Sequence, residues 1–305
     1  MKNGKNQILC FGEVLIDFFG SIKEGFIPKL GGAPANVAIG LKKMNYPQVL
    51  FLGKVGQDLF GRFLVQSLKK IEIDTSYLIS SSRFNTTLAY VSLDEEGQRD
   101  FSFFRGAHEQ ISKEEVEKVD LRRVRILQFG SLTQTNEICS KATDFLIAAA
   151  KKNKVFVSYD PNVRLPLWSD YSYLKSVIKQ TIQKVDLLKI NEEELEFLTE
   201  TRQLKKGAAK LWKDNLKVLI VTLGEKGAFF KTEKVEGYIE GEKVKVVDTT
   251  GAGDAFNAGF LYKISGCIKN GNLEISGDKL AESVQFANRI ASQSVTVKGA
   301  TDYIF

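Results

Sequence analysis

The chain has 305 residues, 43 of them Lys or Arg against 37 Asp or Glu (net charge +6), with 43% hydrophobic and 26% charged residues and a single histidine, His108. One histidine excludes a zinc site built on two or three of them, leaves a Ser-His-Asp triad only His108 to use, and points any proton transfer toward Asp, Glu or Lys. The positive balance would suit a nucleic acid, but the lysines fall as pairs at expected helix ends (Lys42/Lys43, Lys69/Lys70, Lys151/Lys152), where cations offset the helix dipole. Without an RNP-like motif or zinc finger beside them, no nucleic-acid partner is expected.

In chain order, QILCFGEVLI over 7–16 reads as a buried first strand. Glu13 and Asp17 interrupt its apolar run and no small-residue cleavage site follows closely, so it is not read as a signal peptide. Two short extended pieces follow within 18–28, then GGAPANVAIGLKKM, a helix opened by paired glycines. VLFLGKV is the next strand, and 58–70 a helix with Leu59, Phe63, Leu64 and Leu68 on one stripe. Segments 86–94 and 99–105 alternate in polarity and, joined by Asp94-Glu95-Glu96-Gly97-Gln98, predict an antiparallel hairpin.

Strands VRILQFG, KVFVSYD, VDLLKI and LKVLIVTL then interleave with helices over 137–152 and 171–183, and helices over 253–264 and 278–294 close the pattern. Strands apolar on both faces and alternating with helices define an α/β class with a mostly parallel, helix-flanked central sheet. The antiparallel strands outside it must cover a cleft or a partner chain. No apolar run approaches the roughly 18 residues of a membrane span, so no membrane partner is expected. The three cysteines (Cys10, Cys139, Cys267) are odd in number and far apart, and read as free thiols of a cytoplasmic protein.

The stretch VVDTTGAGDAFNAGF carries the most chemistry. A strand runs into Gly251-Ala252-Gly253-Asp254 and a helix begins. The start of a helix leaves backbone N–H groups free to face an anion, and glycine lets a phosphate come close. A carboxylate in such a cradle would repel a phosphate unless it serves as the base that activates a hydroxyl toward it. In isolation the motif reads first as a helix-start carboxylate favoured by the dipole. Phe256 stands where a dinucleotide fingerprint would need its third glycine, and no GxxxxGK[ST] is present. Earlier in the chain, Gly31-Gly32 precede a helix whose first turns carry Asn36, an amide able to donate to and accept from a sugar diol.

GEVLIDF, GGAPANVA, GKVGQDLFG, DPNVRLPLW, KINEEE, VTLGEKGA and DTTGAGDAF occur in this order. Together they resemble the ribokinase/PfkB family of carbohydrate kinases over essentially the whole chain, from about Gly12 onward, and GEVLIDF, GGAPANVA and DPNVRLPLW resemble its fructokinases. The resemblance implies one ribokinase-like domain over 1–305, with a small antiparallel β lid from segments of about 12–34 and 86–106, and a homodimer formed through that lid.

It implies Asp254 as catalytic base, with Gly251, Ala252 and Gly253 as the anion hole for the transferred phosphoryl group. Asp17, placed at the end of the first strand, Gly32 and Asn36 would bind the sugar, as would Arg164, with Tyr90, Phe103 and Arg105 reaching it from the lid. Lys189, Asn191, Thr222, Gly224, Gly227 and Asn288 would meet ATP. Glu194 would hold Mg²⁺ through water, although Asn191 with Glu194 is equally a capping box. Asp248 and Thr250 resemble a K⁺ site, although the tail VKGATDYIF lacks the proline common there. His108 is given no catalytic role.

The activity so implied is transfer of the γ-phosphoryl group of ATP to a sugar hydroxyl, with fructose to fructose 6-phosphate favoured. The alternatives are a 2-keto-3-deoxygluconate kinase, which would use Arg105 and Arg164 for the substrate carboxylate, and a non-catalytic sugar- or nucleotide-binding regulatory relative. Ribose and nucleosides rank lower.

Overall fold

The computed structural model describes residues 4–93 and 99–302. The turn expected over 94–98 and the side chains of 91–93 and 99–101 in the predicted hairpin lie outside what it describes.

The apolar run over 7–16 is not one strand. It divides into β1 (Gln7–Phe11) and β2 (Leu15–Ser21), which belong to different sheets. The break is at Gly12, whose φ of +148° disfavours a side chain and whose Cβ would lie 2.7 Å from Cγ of Pro34. Asp17 therefore stands in the middle of β2 and not at the end of the first strand. After β2 come β3 (Gly25–Gly31), α1 (Ala33–Lys43), β4 (Gln48–Gly56), α2 (Leu59–Lys70) and β5 (Asp74–Ser81), then β6 (Leu88–Leu93) and β7 (Arg99–Phe104). The short α3 (Lys113–Val116) leads into β8 (Val124–Phe129), α4 (Glu137–Lys152), β9 (Phe156–Tyr159), α5 (Tyr171–Ile182) and β10 (Leu187–Asn191). The remainder is α6 (Glu192–Thr199), α7 (Leu204–Leu211), β11 (Val218–Thr222), β12 (Gly227–Lys231), β13 (Glu236–Glu240), α8 (Ala252–Ser265), the two-residue β14 (Ile268–Lys269) and β15 (Asn272–Leu273), and α9 (Gly277–Ser294).

Nine strands form the central sheet in the order β13-β12-β11-β10-β9-β8-β1-β4-β5. All neighbours are parallel except the two pairings at the β12–β13 edge. The period-two alternation of the strands splits the core. Ile8 and Cys10 of β1 face a cluster with Ala38, Phe256 and Leu280 from α1, α8 and α9. Leu9 and Phe11 face one with Leu146, Leu174 and Leu195 from α4, α5 and α6. Side-chain acceptors start the helices: Asp58, Asn136, Asp170, Asn191 and Ser276 each take a backbone N–H of the following turn. The lysine pairs sit in the last turns of α1, α2 and α4.

A second sheet, β3-β2-β6-β7, stands apart. One of its faces is an aromatic cluster: Phe18 stacks on Tyr90 at 4.6 Å, Phe26 and Phe104 meet the Tyr90 ring edgewise at 5.0 and 5.6 Å, and Phe18 meets Phe60 of α2 at 5.5 Å. Asp58 anchors it to the body, accepting Gly61 N (2.8 Å) at the start of α2 and Thr86 N (2.7 Å) just ahead of β6. Strands β5, β12 and β13 and helix α7 are elements the sequence patterning passed over. For β12 the run Ala228-Phe229-Phe230, buried throughout, was the available signal.

Candidate active site

A cavity of about 610 Å³ opens at the C-terminal ends of β1, β9, β10 and β11, where open α/β sheets bind ligands. Its two ends differ in chemistry.

At one end, α8 begins at Gly251, which caps it in the left-handed region (φ 78°), and Asp254 lies in the first turn. The first amides of a helix have no intrahelical acceptors, so this turn presents N–H groups and the positive end of the helix dipole to the cavity. Asp254 is buried, and its Oδ2 accepts the amide of Asn36 at 2.9 Å. Burial pushes the Asp254 carboxyl up to about 6; Asn36, Lys189 and Arg164 pull it down, and the nearby Asp160 adds to the rise. A carboxylate titrating there is ionised at neutral pH yet basic enough to take a hydroxyl proton.

Lys189 is buried and pairs with Asp160 at 2.7 Å. Burial would lower its ammonium, but the carboxylates of Asp160 and Glu194 outweigh that and hold it above its ordinary value. Its Nζ lies 3.3 Å from where a Cβ on Gly253 would be, so the charge rests against the amide cradle. Asn191 and Glu194 cap each other, Glu194 N to Oδ1 at 2.7 Å and Asn191 N to Oε2 at 2.8 Å. Val163 N takes the other Glu194 oxygen at 2.6 Å. Both residues still line the cavity, with Thr222 and Gly224. Asp248 accepts both the N–H (2.9 Å) and the hydroxyl (2.7 Å) of Thr250 on one oxygen and Gly299 N (3.0 Å) on the other. Segment 299–302 thus closes over this loop, and Asp302 pairs with Lys29 of β3 at 2.8 Å.

The other end is made by the small sheet. Asp17, Ala89 and Phe103 lie side by side across β2, β6 and β7 and line the cavity together with Glu13, Gly32, Asn36 and Arg164. Gly31 makes room for Asp17: a Cβ there would meet its Oδ2 at 2.0 Å. Burial pushes the Asp17 carboxyl up to about 7, against the pull of the Arg164 charge. Glu13 is pushed to about 7 by the same cause. Glu13, Phe19, Leu132 and Asp160 are lining residues the motif reading did not assign. The signal for Glu13 was a carboxylate inside an apolar run.

Five of the expected site residues do not line the cavity. Asp248 stands just behind it, bonded to Thr250 and Gly299. Tyr90 is next in sequence to Ala89 and so points to the opposite face, into the aromatic cluster. The guanidinium of Arg105 is held by the carboxylate of Glu109 and the carbonyl of Leu167. Gly227 packs its Cα face against the carbonyl of Ile239 in β13. Asn288 donates to the carbonyls of Ile239 and Glu240, both at 3.2 Å. His108, buried, meets Thr87 Oγ1 at 2.5 Å and the Phe103 ring edgewise at 5.8 Å behind the cavity wall.

An α/β scaffold with an aspartate at a glycine-flanked helix start, facing a pocket of carboxylates, defines a phosphotransferase acting on an alcohol. Residues 5–304 match the model of the pfkB family carbohydrate kinases, and the chain belongs to that family. It is 37% identical over 305 residues to Fructokinase-2 of Oryza sativa subsp. japonica, an overlap of 97% of this chain and 90% of that protein. Among solved structures it is similar to the fructokinase with bound ATP from Xylella fastidiosa (TM-score 0.90, 29% identity, 98% of this chain and 95% of that one). It is also similar to a fructokinase double mutant from Vibrio cholerae O395 in its fructose-, ADP- and potassium-bound form (TM-score 0.88, 29% identity, 99% and 96%).

Proposed function

We propose that this carbohydrate kinase transfers the γ-phosphoryl group of ATP to fructose, giving fructose 6-phosphate. The observation that carries the proposal is Asp254: a buried carboxylate in the first turn of α8, held by the Asn36 amide between the amide cradle and the Asp17 end of the cavity. In this reading Asp254 accepts the proton of the attacking hydroxyl. The amides of 251–253, with Lys189 behind them, absorb the charge that grows on the transferred phosphoryl oxygens. The names of the relatives above support fructose as acceptor and ATP as donor.

The residues fit a metal ion that arrives with the nucleotide. Among the described residues no group of three or more His, Cys, Asp or Glu is set to hold a metal, and both Glu194 oxygens already take backbone N–H groups. Asp160 Oδ1, however, is buried without a partner. Mg²⁺, bound chiefly by phosphate oxygens and reached through water by Glu194 and Asp160, would supply neutralisation of the β- and γ-phosphate charge. Asp248 and Thr250 are the candidates for a K⁺ site; a potassium ion is bound in the Vibrio relative. A homodimer through the small sheet, whose aromatic face leaves Phe104 exposed, is tested by sedimentation: a monomer at micromolar concentration would refute it. Three buried free thiols suit a cytoplasmic location, and no described helix is long and apolar enough to cross a membrane.

The experiment for the reaction is ADP release with fructose, 2-keto-3-deoxygluconate, ribose and adenosine. Release fastest with fructose supports the proposal, release fastest with the keto acid replaces it, and no release with any of them refutes kinase activity. For the keto-acid reading, Arg164, which lines the cavity and is exposed, is better placed to meet a carboxylate than Arg105, which is paired with Glu109.

A further inference from the structure

Glu13 occupies the link between β1 and β2, lines the cavity, and is only 4% exposed. Its two oxygens are treated differently. Oε1 accepts Ala33 N, the first amide of α1, at 3.0 Å, which fixes the carboxyl against the paired-glycine turn. Oε2 is buried and has no hydrogen-bond partner. One turn further along α1, Asn36 shows the same asymmetry: its Nδ2 holds Asp254 and its Oδ1 has no partner.

An unpaired buried carboxylate oxygen is costly, because desolvation is not offset by a donor. Native proteins retain such groups where a ligand or water completes them. Glu13, Asp254 and Arg164 line the same cavity; the charge of Asp254 opposes ionisation of Glu13 and that of Arg164 favours it. Asp254 is committed to the reacting hydroxyl.

We propose that Glu13 is a further substrate-binding residue, whose Oε2 accepts a hydrogen bond from a hydroxyl of the acceptor sugar other than the one that is phosphorylated. The inference rests on the sugar-kinase reading and adds a discriminating contact to it. A site built to accept from a hydroxyl rejects the analogue lacking it, since its own polar group is left unpaired. The Oε1 bond to Ala33 alone would account for a purely structural glutamate, but such a role carries no preference among the hydroxyls of the ligand.

The test is calorimetric binding of the acceptor sugar and its monodeoxy series, without nucleotide, to wild type, Glu13→Ala and Glu13→Gln. Wild type is expected to bind one monodeoxy sugar about 10- to 100-fold more weakly than the parent, from the 1–3 kcal/mol cost of a lost buried partner. In Glu13→Ala that penalty should shrink to about twofold or less while penalties at the other hydroxyls stay. Should that variant fail to fold, Glu13→Gln keeps the carbonyl for Ala33 N and replaces the Oε2 acceptor with a donor, and must alter the same single penalty. Unchanged penalties at every hydroxyl in a folded variant would overturn the proposal. The series follows whichever sugar is turned over fastest, so a wrong acceptor changes the ligands and leaves the test intact. A protein that binds and phosphorylates no sugar would overturn the function and the inference together.

Discussion

The two ends of the cavity are built on opposite plans. At the phosphoryl end the charged groups are held by protein partners, Asp160 Oδ1 apart: Asn36 holds Asp254, Asp160 Oδ2 holds Lys189, and Glu194 is fixed by two backbone amides. At the sugar end, Arg164 is exposed, Glu13 keeps an unpaired oxygen, and burial pushes Glu13 and Asp17 up to about 7. Preorganised groups stabilise a transition state because they cost no rearrangement when charge develops. Unsatisfied groups instead make the empty site pay until a ligand arrives, which suits binding and discrimination. Substitutions at the first end should therefore act on kcat, and those at the second on KM.

The largest test of that division is Asp254→Asn. It keeps the shape and the Asn36 contact region but removes the base, and should lower kcat by about 10²–10⁴-fold with sugar affinity little changed. Steady-state kinetics beside calorimetry would show it; a kcat within threefold of wild type would remove Asp254 from the reaction. Next is Lys189→Met, which leaves the Asp160 carboxylate buried with no opposite charge and only the Asn257 amide, at 3.4 Å, as donor. Breaking such a pair should cost about 3–5 kcal/mol of stability, read by denaturant unfolding, and a loss under 1 kcal/mol would show that the pair is not what fixes this end.

The pH profile comes third. Asp254 must be ionised to act, so kcat/KM should fall about tenfold per pH unit below about 6, and a flat profile down to pH 5 would contradict the assignment. Arg164→Ala belongs to the other end and should raise KM several-fold at nearly constant kcat; the reverse pattern would move Arg164 into phosphoryl transfer.

The last test is the pH dependence of stability. Glu13, Asp17 and Asp254 all bind protons more tightly folded than unfolded. Their contribution is therefore full below pH 4 and is lost as pH rises through 6 to 7. Melting temperature corrected for the rest of the chain should decline over that window, less steeply in Glu13→Gln, and less steeply in wild type with sugar bound. An identical decline in all three would show that these carboxylates are not the cause.

What could be read from sequence follows the same line between local and distant information. Asp254, its cradle and the Asn191–Glu194 cap are consecutive residues whose geometry a helix start dictates, and they stand together in the structure. Tyr90 was assigned to the cavity because it lies on a strand of the small sheet, yet the inward row is Asp17, Ala89 and Phe103. Which face is inward depends on the pairing of β2 with β6, strands some seventy residues apart, and a slip of one residue reverses every side chain. The pairing of Arg105 was out of reach for a related reason: its partners Glu109 and Leu167 meet only once β7 and the loop after β9 are packed together. The split of the first strand was visible only as a glycine, and its necessity comes from Pro34, supplied by another element.

The strap at 299–302 bears on how the enzyme is made. Gly299 holds Asp248, and Asp302 reaches back 273 residues to Lys29. On the ribosome, β2, β3, β6 and β7 emerge long before α8 and the strap, so the carboxylates of Glu13 and Asp17 exist before the helix that carries Asp254. The site is thus finished from the sugar side toward the phosphate side. A nascent chain stalled before residue 248 would hold Glu13 and Asp17 without Asp254 or its cradle. The cavity is completed only when 248–302 has closed over the earlier part.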